Sequence, residues 1–276
     1  MTHTEQVSVS DRTKDANQDH WKTYDDFAAG IDTYRMPGAD LSGRRIAFTF
    51  DCATRLSLDF VDGDSVRWTS AELLSATDGS LDPYDAVRVR DDVIFLNIPL
   101  TTRTEDAVTV FWSDTTGRAL LVHSVIGDPT PGVPHVRQSF SAGEVEGVVV
   151  TGAKPGPTRD LVGFREVVRY SPSHLYDHVF LSTERYCWQC LQGEQRGHGD
   201  VDMATTWKFD ETGLYLFTFR EFVIPVASVW LHDLGYALRT TGVFIGVGAD
   251  GKADHRRAGG HIYPLGTIKY PDVQPV

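Results

Sequence analysis

Apolar and polar residues alternate in short bursts along most of this chain. Runs of five to eight apolar-rich residues end at Gly, Asp and Pro turns and recur nearly to the C-terminus, as successive antiparallel strands do. One stretch breaks the pattern. In "HWKTYDDFAAGI", Trp21, Tyr24, Phe27 and Ile31 recur at helical spacing and predict a short amphipathic helix. The polar residues ahead of it are expected to be mobile.

The strand pattern is written twice. "LSGRRIAFTF", starting at Leu41, aligns with "LVGFREVVRY", starting at Leu161, at an offset of 120. The same offset pairs Gly43 with Gly163, Arg45 with Arg165, Phe60 with Phe180, Trp68 with Trp188, Gly79 with Gly199, Asp82 with Asp202 and Leu96 with Leu216. Further on, an offset of 119 pairs Val110 with Val229 and Asp114 with Asp233. Strands are expected near 45–51, 55–61, 65–70, 86–90, 93–99, 107–113, 118–126 and 135–141. In the second copy they are expected near 165–170, 175–181, 185–191, 204–209, 214–222, 226–232, 238–246 and 261–268. The predicted fold class is mainly β: two antiparallel barrels from an internal duplication, with a short N-terminal helix closing one barrel end. Closure leaves no exposed sheet edge, and an eight-stranded barrel is either filled by side chains or holds one small ligand. The expected division is a polar segment and helix over 1–35, a first barrel over 36–150 and a second over 158–276.

The second half carries four strand motifs. They are Tyr176 with His178; Trp188, Cys190, Leu191 and Gly193; Phe219, Arg220, Glu221 and Pro225; and Arg239, Thr240, Thr241 and Gly242. Together with "DGDSVRWT" and "DDVIFLNI" in the first half, this sequence resembles the molybdenum cofactor biosynthesis protein F family over roughly 30–270. The resemblance implies a lipocalin-like barrel in each half. Related barrels serve as carriers, decarboxylases and cyclases, which is an analogy of fold.

Differences between the copies point to the second. Tyr176, His178 and Phe180 share a strand face, and their partners are Leu56, Leu58 and Phe60. Tyr186, Trp188 and Cys190 share another, opposite Val66, Trp68 and Ser70. Arg220 aligns with Leu100, Glu221 with Thr101 and Arg239 with Leu120. Apolar partners suggest inward positions, where an unpaired charge costs several kcal/mol, so such groups are paired or face a wet cavity. The first barrel is therefore expected to be mostly core and the second to hold a polar-aromatic pocket.

His178 and Tyr176 are candidates for a general acid/base pair, since imidazole titrates near neutrality and a phenol donates a hydrogen bond. The structural alternative is a histidine satisfied within the barrel wall. Arg220 and Arg239 are candidates to hold a substrate carboxylate, or else to form an internal ion pair with Glu221 or Asp233. Neighbours on a strand face opposite ways, so only one of Arg220 and Glu221 reaches the lumen. If aromatics line it, that one is Glu221; a bulge reverses the assignment. Tyr186, Trp188, Trp207, Tyr215, Phe217 and Phe219 are core or a stacking wall for a flat ligand. With Cys190, Arg239 and Thr241 they complete the candidate substrate-binding set.

Composition narrows the classes. A content of 41% hydrophobic and 23% charged residues suits a soluble globular protein. A net charge of −12 argues against nucleic acid and anionic membrane as partners. Three cysteines, Cys52, Cys187 and Cys190, suit a reducing cytoplasm, and neither a signal peptide nor a membrane span is read. Cys187 and Cys190 are three apart on a strand and face opposite sides, so no metal is expected. Nucleotide-loop, dinucleotide and serine-elbow motifs are missing, and no cofactor is expected. The expected partner is a small aromatic or polyene-like organic molecule in the C-terminal barrel; a homodimer is left open. The expected function is cofactor-independent enzymology there, of cyclase, isomerase or decarboxylase type. A non-catalytic carrier or ligand sensor is the alternative.

Overall fold

The computed structural model describes residues 23–51, 53–70 and 80–270; the expectations for the polar leader, Trp21, Cys52 and Gly79 lie outside them. The expected helix is α1 (Tyr24–Ala28). Thr23 caps it: its hydroxyl accepts from Asp26 N, and the Asp26 carboxylate accepts from Thr23 N.

The first sheet runs β1 (Arg45–Phe50), β2 (Arg55–Phe60), β3 (Ser65–Thr69), β4 (Ser80–Pro83), β5 (Asp85–Arg90), β6 (Val93–Pro99), β7 (Asp106–Ser113), β8 (Arg118–Ile126) and β9 (Val136–Val145). Its spatial order is β4-β3-β2-β1-β9-β8-β7-β6-β5. The second has β10 (Gly156–Pro157), β11 (Phe164–Ser171), β12 (His174–Phe180), β13 (Arg185–Gln192), β14 (Gly199–Lys208), β15 (Leu214–Arg220), β16 (Val226–Asp233), β17 (Arg239–Val247) and β18 (Ala253–Thr267). Its order is β10-β14-β13-β12-β11-β18-β17-β16-β15, and β14 also pairs with β15, which closes the ring. In the first copy the strand matching β14 is broken at Tyr84 into β4 and β5. Pro83 has no N–H for the ladder, which marks the break.

The registers confirm the duplication and correct its bookkeeping. Ile46 faces Leu58, which faces Trp68; 120 positions on, Glu166 faces His178, which faces Trp188. The turn between β14 and β15 is one residue longer than that between β5 and β6: Ala86 faces Leu96, whereas Thr206 faces Phe217. The copies drift to an offset of 121 there, not to 119. Glu221 therefore takes the place of Leu100, Arg220 that of Pro99, and Arg239 that of Arg118, the first residue of β8 as Arg239 is of β17. The β15–β16 turn is one residue shorter than its counterpart, which returns the offset to 120, so His232 takes the place of Trp112.

The first barrel is filled by its own apolar side chains, among them Phe48, Phe60, Leu96 and Trp112. The outer faces of the two sheets pack together through Val87, Phe95, Phe111 and Leu120 against Leu216, Val229, Leu231 and Val243. Arg90 crosses this boundary to the fully buried Asp233, with Nη2 to Oδ1 at 2.6 Å and Nε to Oδ2 at 3.0 Å.

Inside the second barrel, Gly242 faces Trp230 across the ladder. A β-carbon there would sit 2.3 Å from the Trp230 ring and 2.6 Å from Val229 O. Gly242→Ala is expected to cost about 1–3 kcal/mol by overpacking, read from urea unfolding followed by tryptophan fluorescence.

Candidate functional site

Strand alternation sends a fixed set of side chains into the second lumen. Val168 and Tyr170 of β11 point inward, and Glu166 shares their parity. From β12 come Tyr176, His178 and Phe180; from β13, Tyr186, Trp188 and Cys190; from β15, Phe217 and Phe219; from β16, Trp230 and His232; from β17, Phe244.

Glu166 is completely buried, at 0% exposure, beside two imidazoles. His232 Nε2 lies 3.3 Å from its Oε1 and His178 Nδ1 lies 3.6 Å from the same oxygen. These are ion-pair distances without well-aligned hydrogen bonds. Burial alone would raise the carboxyl's pKa. The charge of His232 and the contact with His178 outweigh that and hold it down at about 2. His232 is oriented from behind by Thr240 Oγ1, 2.7 Å from its Nδ1. Ring edges of Tyr186 and Phe217 border His178, with centroids at 5.6 Å and 6.4 Å.

A second carboxyl group of interest lies nearer one end. Trp188 Nε1 donates to Asp202 Oδ2 at 2.8 Å, repeating the bond from Trp68 to Asp82 at 2.7 Å. In the first copy Asp82 also accepts from Thr101 N at 2.7 Å and from the Thr101 hydroxyl at 2.5 Å. In the second, Glu221 stands inward in place of Leu100, and one of its oxygens has no partner. Burial first, then mutual repulsion with Asp202 and Asp200, pushes the Glu221 carboxyl well above the usual range; burial likewise raises Asp202.

The phenols of Tyr170, Tyr176 and Tyr186 are pushed above their ordinary values by burial, so they remain donors. Tyr176 donates to Gln195 Oε1 at 3.1 Å. Neither Tyr170 nor Tyr186 bonds an acceptor among the described residues. Burial also raises the Cys190 thiol and keeps it protonated.

Several expected site residues lie elsewhere. Arg220 points out of the lumen, with Nη2 donating to Ala204 O at 3.1 Å and Thr205 Oγ1 at 2.8 Å. Burial and Arg185 draw it down to about 10. Arg239 donates to Tyr34 O at 2.6 Å, and Thr241 donates to Met36 Sδ at 3.6 Å; both face the outer surface of β17. Trp207 stacks on Phe140 of the first barrel at 6.1 Å. Tyr215 bonds Asp160 at 3.1 Å at an exposed rim. Parity explains Arg220, Arg239, Thr241 and Trp207: without a bulge in β15, the aromatic face is inward and Arg220 falls on the other side. Tyr215 shares the inward parity and packs on the lumen cluster from the end of its strand, its hydroxyl reaching out to Asp160. The regular register also brings Tyr176, His178, Tyr186, Trp188, Cys190, Phe217, Phe219 and Glu221 to the lumen side.

Glu166, His232, Tyr170 and Phe244 are lumen residues that the motifs did not flag. The signal for Glu166 was its alignment with Ile46, a charge opposite an aliphatic residue.

The lumen lining is polar and aromatic, as expected, but little open space is left among the described residues. What remains is a cavity of ≈ 10 Å³, space for about one water, lined by Phe27, Ile31, Tyr170, Tyr176, His178, Tyr186, Trp188, Phe219 and Phe244. Two of these residues belong to the leading segment, not to the barrel. The Phe27 ring sits 5.2 Å from Phe244, 5.3 Å from Trp188, 5.8 Å from Phe219 and 6.3 Å from Tyr176. A far larger groove, ≈ 820 Å³, lies on the outer face of β1–β3. It is open, and its charges largely pair with neighbours, as Arg44 does with Asp114 and Arg45 with Asp59. None of its polar lining side chains is buried. Among the described residues no cluster of metal-ligating side chains occurs, and no helix is long and apolar enough to cross a membrane.

Comparison with known proteins places this architecture. The MoaF N-terminal domain matches residues 19–128 and the MoaF C-terminal domain matches residues 155–268. The chain belongs to the MoaF family. Protein MoaF of Klebsiella aerogenes is 33% identical over 178 residues, which span 61% of this chain and 67% of that one. Among solved structures, a protein from Burkholderia vietnamiensis provisionally assigned as a beta-lactamase aligns over 40% of this chain and all of its own. Its TM-score of 0.33 and 13% identity carry no functional weight. The N-terminal match covers α1 and β1–β8 and the C-terminal match covers β10–β18, where the buried glutamate and histidines fall.

Proposed function

We propose that the C-terminal barrel binds a small, neutral, aromatic or polyene-like organic molecule and moves a proton on it without a cofactor. One observation carries this reading. Glu166, His178 and His232 occupy lumen positions where the first barrel, on the same scaffold, has Ile46, Leu58 and Trp112. The scaffold closes without them, so their desolvation cost is not a requirement of folding.

In this reading His178, at the cavity wall, takes or gives the proton. Glu166 holds the imidazole in place and stabilises its charged form, and His232 supports Glu166 from the other side. Tyr170, Tyr176 and Tyr186 supply neutral donors. Arginine and lysine are not among the cavity-lining residues, and a substrate carboxylate beside Glu166 would be repelled. Isomerisation or cyclisation, in which the proton removed is returned, therefore fits better than decarboxylation of a clamped acid.

The test is deuterium transfer from solvent into candidate aromatic and polyene compounds, followed by proton NMR, with affinity followed by tryptophan fluorescence. His178→Ala is expected to slow transfer by about 10²–10⁴-fold while affinity changes far less. Binding with no transfer by the unaltered protein would establish the carrier reading instead.

A further inference from the structure

The cavity is what Phe27 and Ile31 leave of a larger lumen, and this decides how a ligand enters. We propose that the Phe27 ring occupies the seat of the ligand's own aromatic ring, so that a ligand binds by displacing residues 23–31. The inference rests on the reading above, that the lumen takes an organic molecule.

The seat is built by the barrel. Tyr176, Trp188, Phe219 and Phe244 surround the ring with tilted and edge contacts, the geometry aromatic pairs favour. His178, Tyr170 and Tyr186 line the same cavity, and neither of these two phenols bonds an acceptor among the described residues. A ligand that fills both parts is a neutral six-membered aromatic ring bearing one hydrogen-bonding substituent.

The occupant is held in a way that allows exchange. Helix α1 has five residues, far too few to be stable alone. Its outer ties are exposed: Asp25 pairs with Arg256 at 3.2 Å and accepts from Ala249 N at 2.9 Å. Such contacts contribute little. Past the helix, Gly259 N donates to Ile31 O and Tyr34 N donates to Tyr170 O, each at 3.0 Å. Gly30, at φ +67, lets the chain turn against the His174 ring, where a β-carbon would come within 2.5 Å. Farther along, Arg35 pairs with Asp85, and Arg239 and Thr241 hold Tyr34 and Met36, so residues 34–36 stay docked. What chiefly anchors the part before them is burial of Tyr24, Phe27, Ala28 and Ile31, and an incoming ring returns Phe27's share of it. The first barrel needs no such plug, because its own side chains fill it.

The probe is p-cresol, a phenyl ring with one hydroxyl. Phe27→Ala in the full chain is expected to bind it at least about tenfold more tightly than the unaltered chain, because the competing closed state is weakened. Phe27→Leu serves if that variant does not fold. At p-cresol concentrations that saturate the variant, the amide of Gly259 in the unaltered chain is expected to exchange about tenfold faster, with β11 and β16 unchanged. Equal affinity for both chains, no binding by either variant, or unchanged exchange at Gly259 would overturn the proposal. None of these readouts needs turnover. Displacement without deuterium transfer would remove the enzyme reading and leave the seat intact.

Discussion

Replacing His232 by phenylalanine is expected to destabilise the second barrel by about 3–5 kcal/mol, the usual cost of stripping one partner from a buried charge cluster. The substitution keeps most of the volume. It leaves the fully buried Glu166 with His178 alone, 3.6 Å away, and breaks the contact between His232 and Thr240 Oγ1. Thr240→Val isolates that last contribution. The reverse experiment installs the first copy's residues. Glu166→Ile with His178→Leu is expected to be neutral or stabilising by about 1–4 kcal/mol, since a well-packed aliphatic pair replaces buried charge. Both are read from urea midpoints by tryptophan fluorescence. A mild His232→Phe beside a severely unstable double variant would mean that the cluster is structural, and the functional assignment would lose its footing.

Glu221→Leu is expected to stabilise the protein by an amount that grows with pH. The folded carboxyl pKa values of Glu221 and Asp202 both lie above their unfolded values. Below the unfolded range both groups are protonated in either state, and nothing is gained or lost. As pH rises through that range, the unfolded chain ionises while the folded one keeps its protons, and stability drains away. Each such group contributes a slope of about 1.4 kcal/mol per pH unit until its folded pKa is reached. Leucine, the first copy's residue at this position, removes one group and relieves the other. Unfolding measured between pH 4 and 8 tests this, and a gain independent of pH contradicts it.

Most strands were legible because turn glycines punctuate clear apolar alternation, so neither charge nor motif was needed to see them. The short β4 was missed: it ends at Pro83, and it has only four residues to carry a period. Placement within the site depended on register. Glu166 already faced Ile46 in the aligned sequences, but one charge in an apolar strand drew less notice than the motifs around it. His232 was hidden because the aligned sequences shift to an offset of 119 there, which sets it against Ser113, whereas the registers keep 120 and set it against the inward Trp112. Arg220, Arg239 and Thr241 stood out as motif residues, yet strand parity turns them away from the lumen. The spacing of Tyr24, Phe27 and Ile31 announced a face in need of cover without naming the surface that covers it.

Helix α1 precedes the first barrel in the chain but docks in the second. Tyr24 donates to Asp254 O across 230 positions, and Ile31 accepts from Gly259. During synthesis its aromatic face therefore leaves the ribosome well before its berth exists, a wait of roughly ten to fifty seconds at common elongation rates. Severing the chain between the sheets would likewise strand the stopper on one fragment and the open vessel on the other, so the two pieces should recover native fluorescence only when mixed.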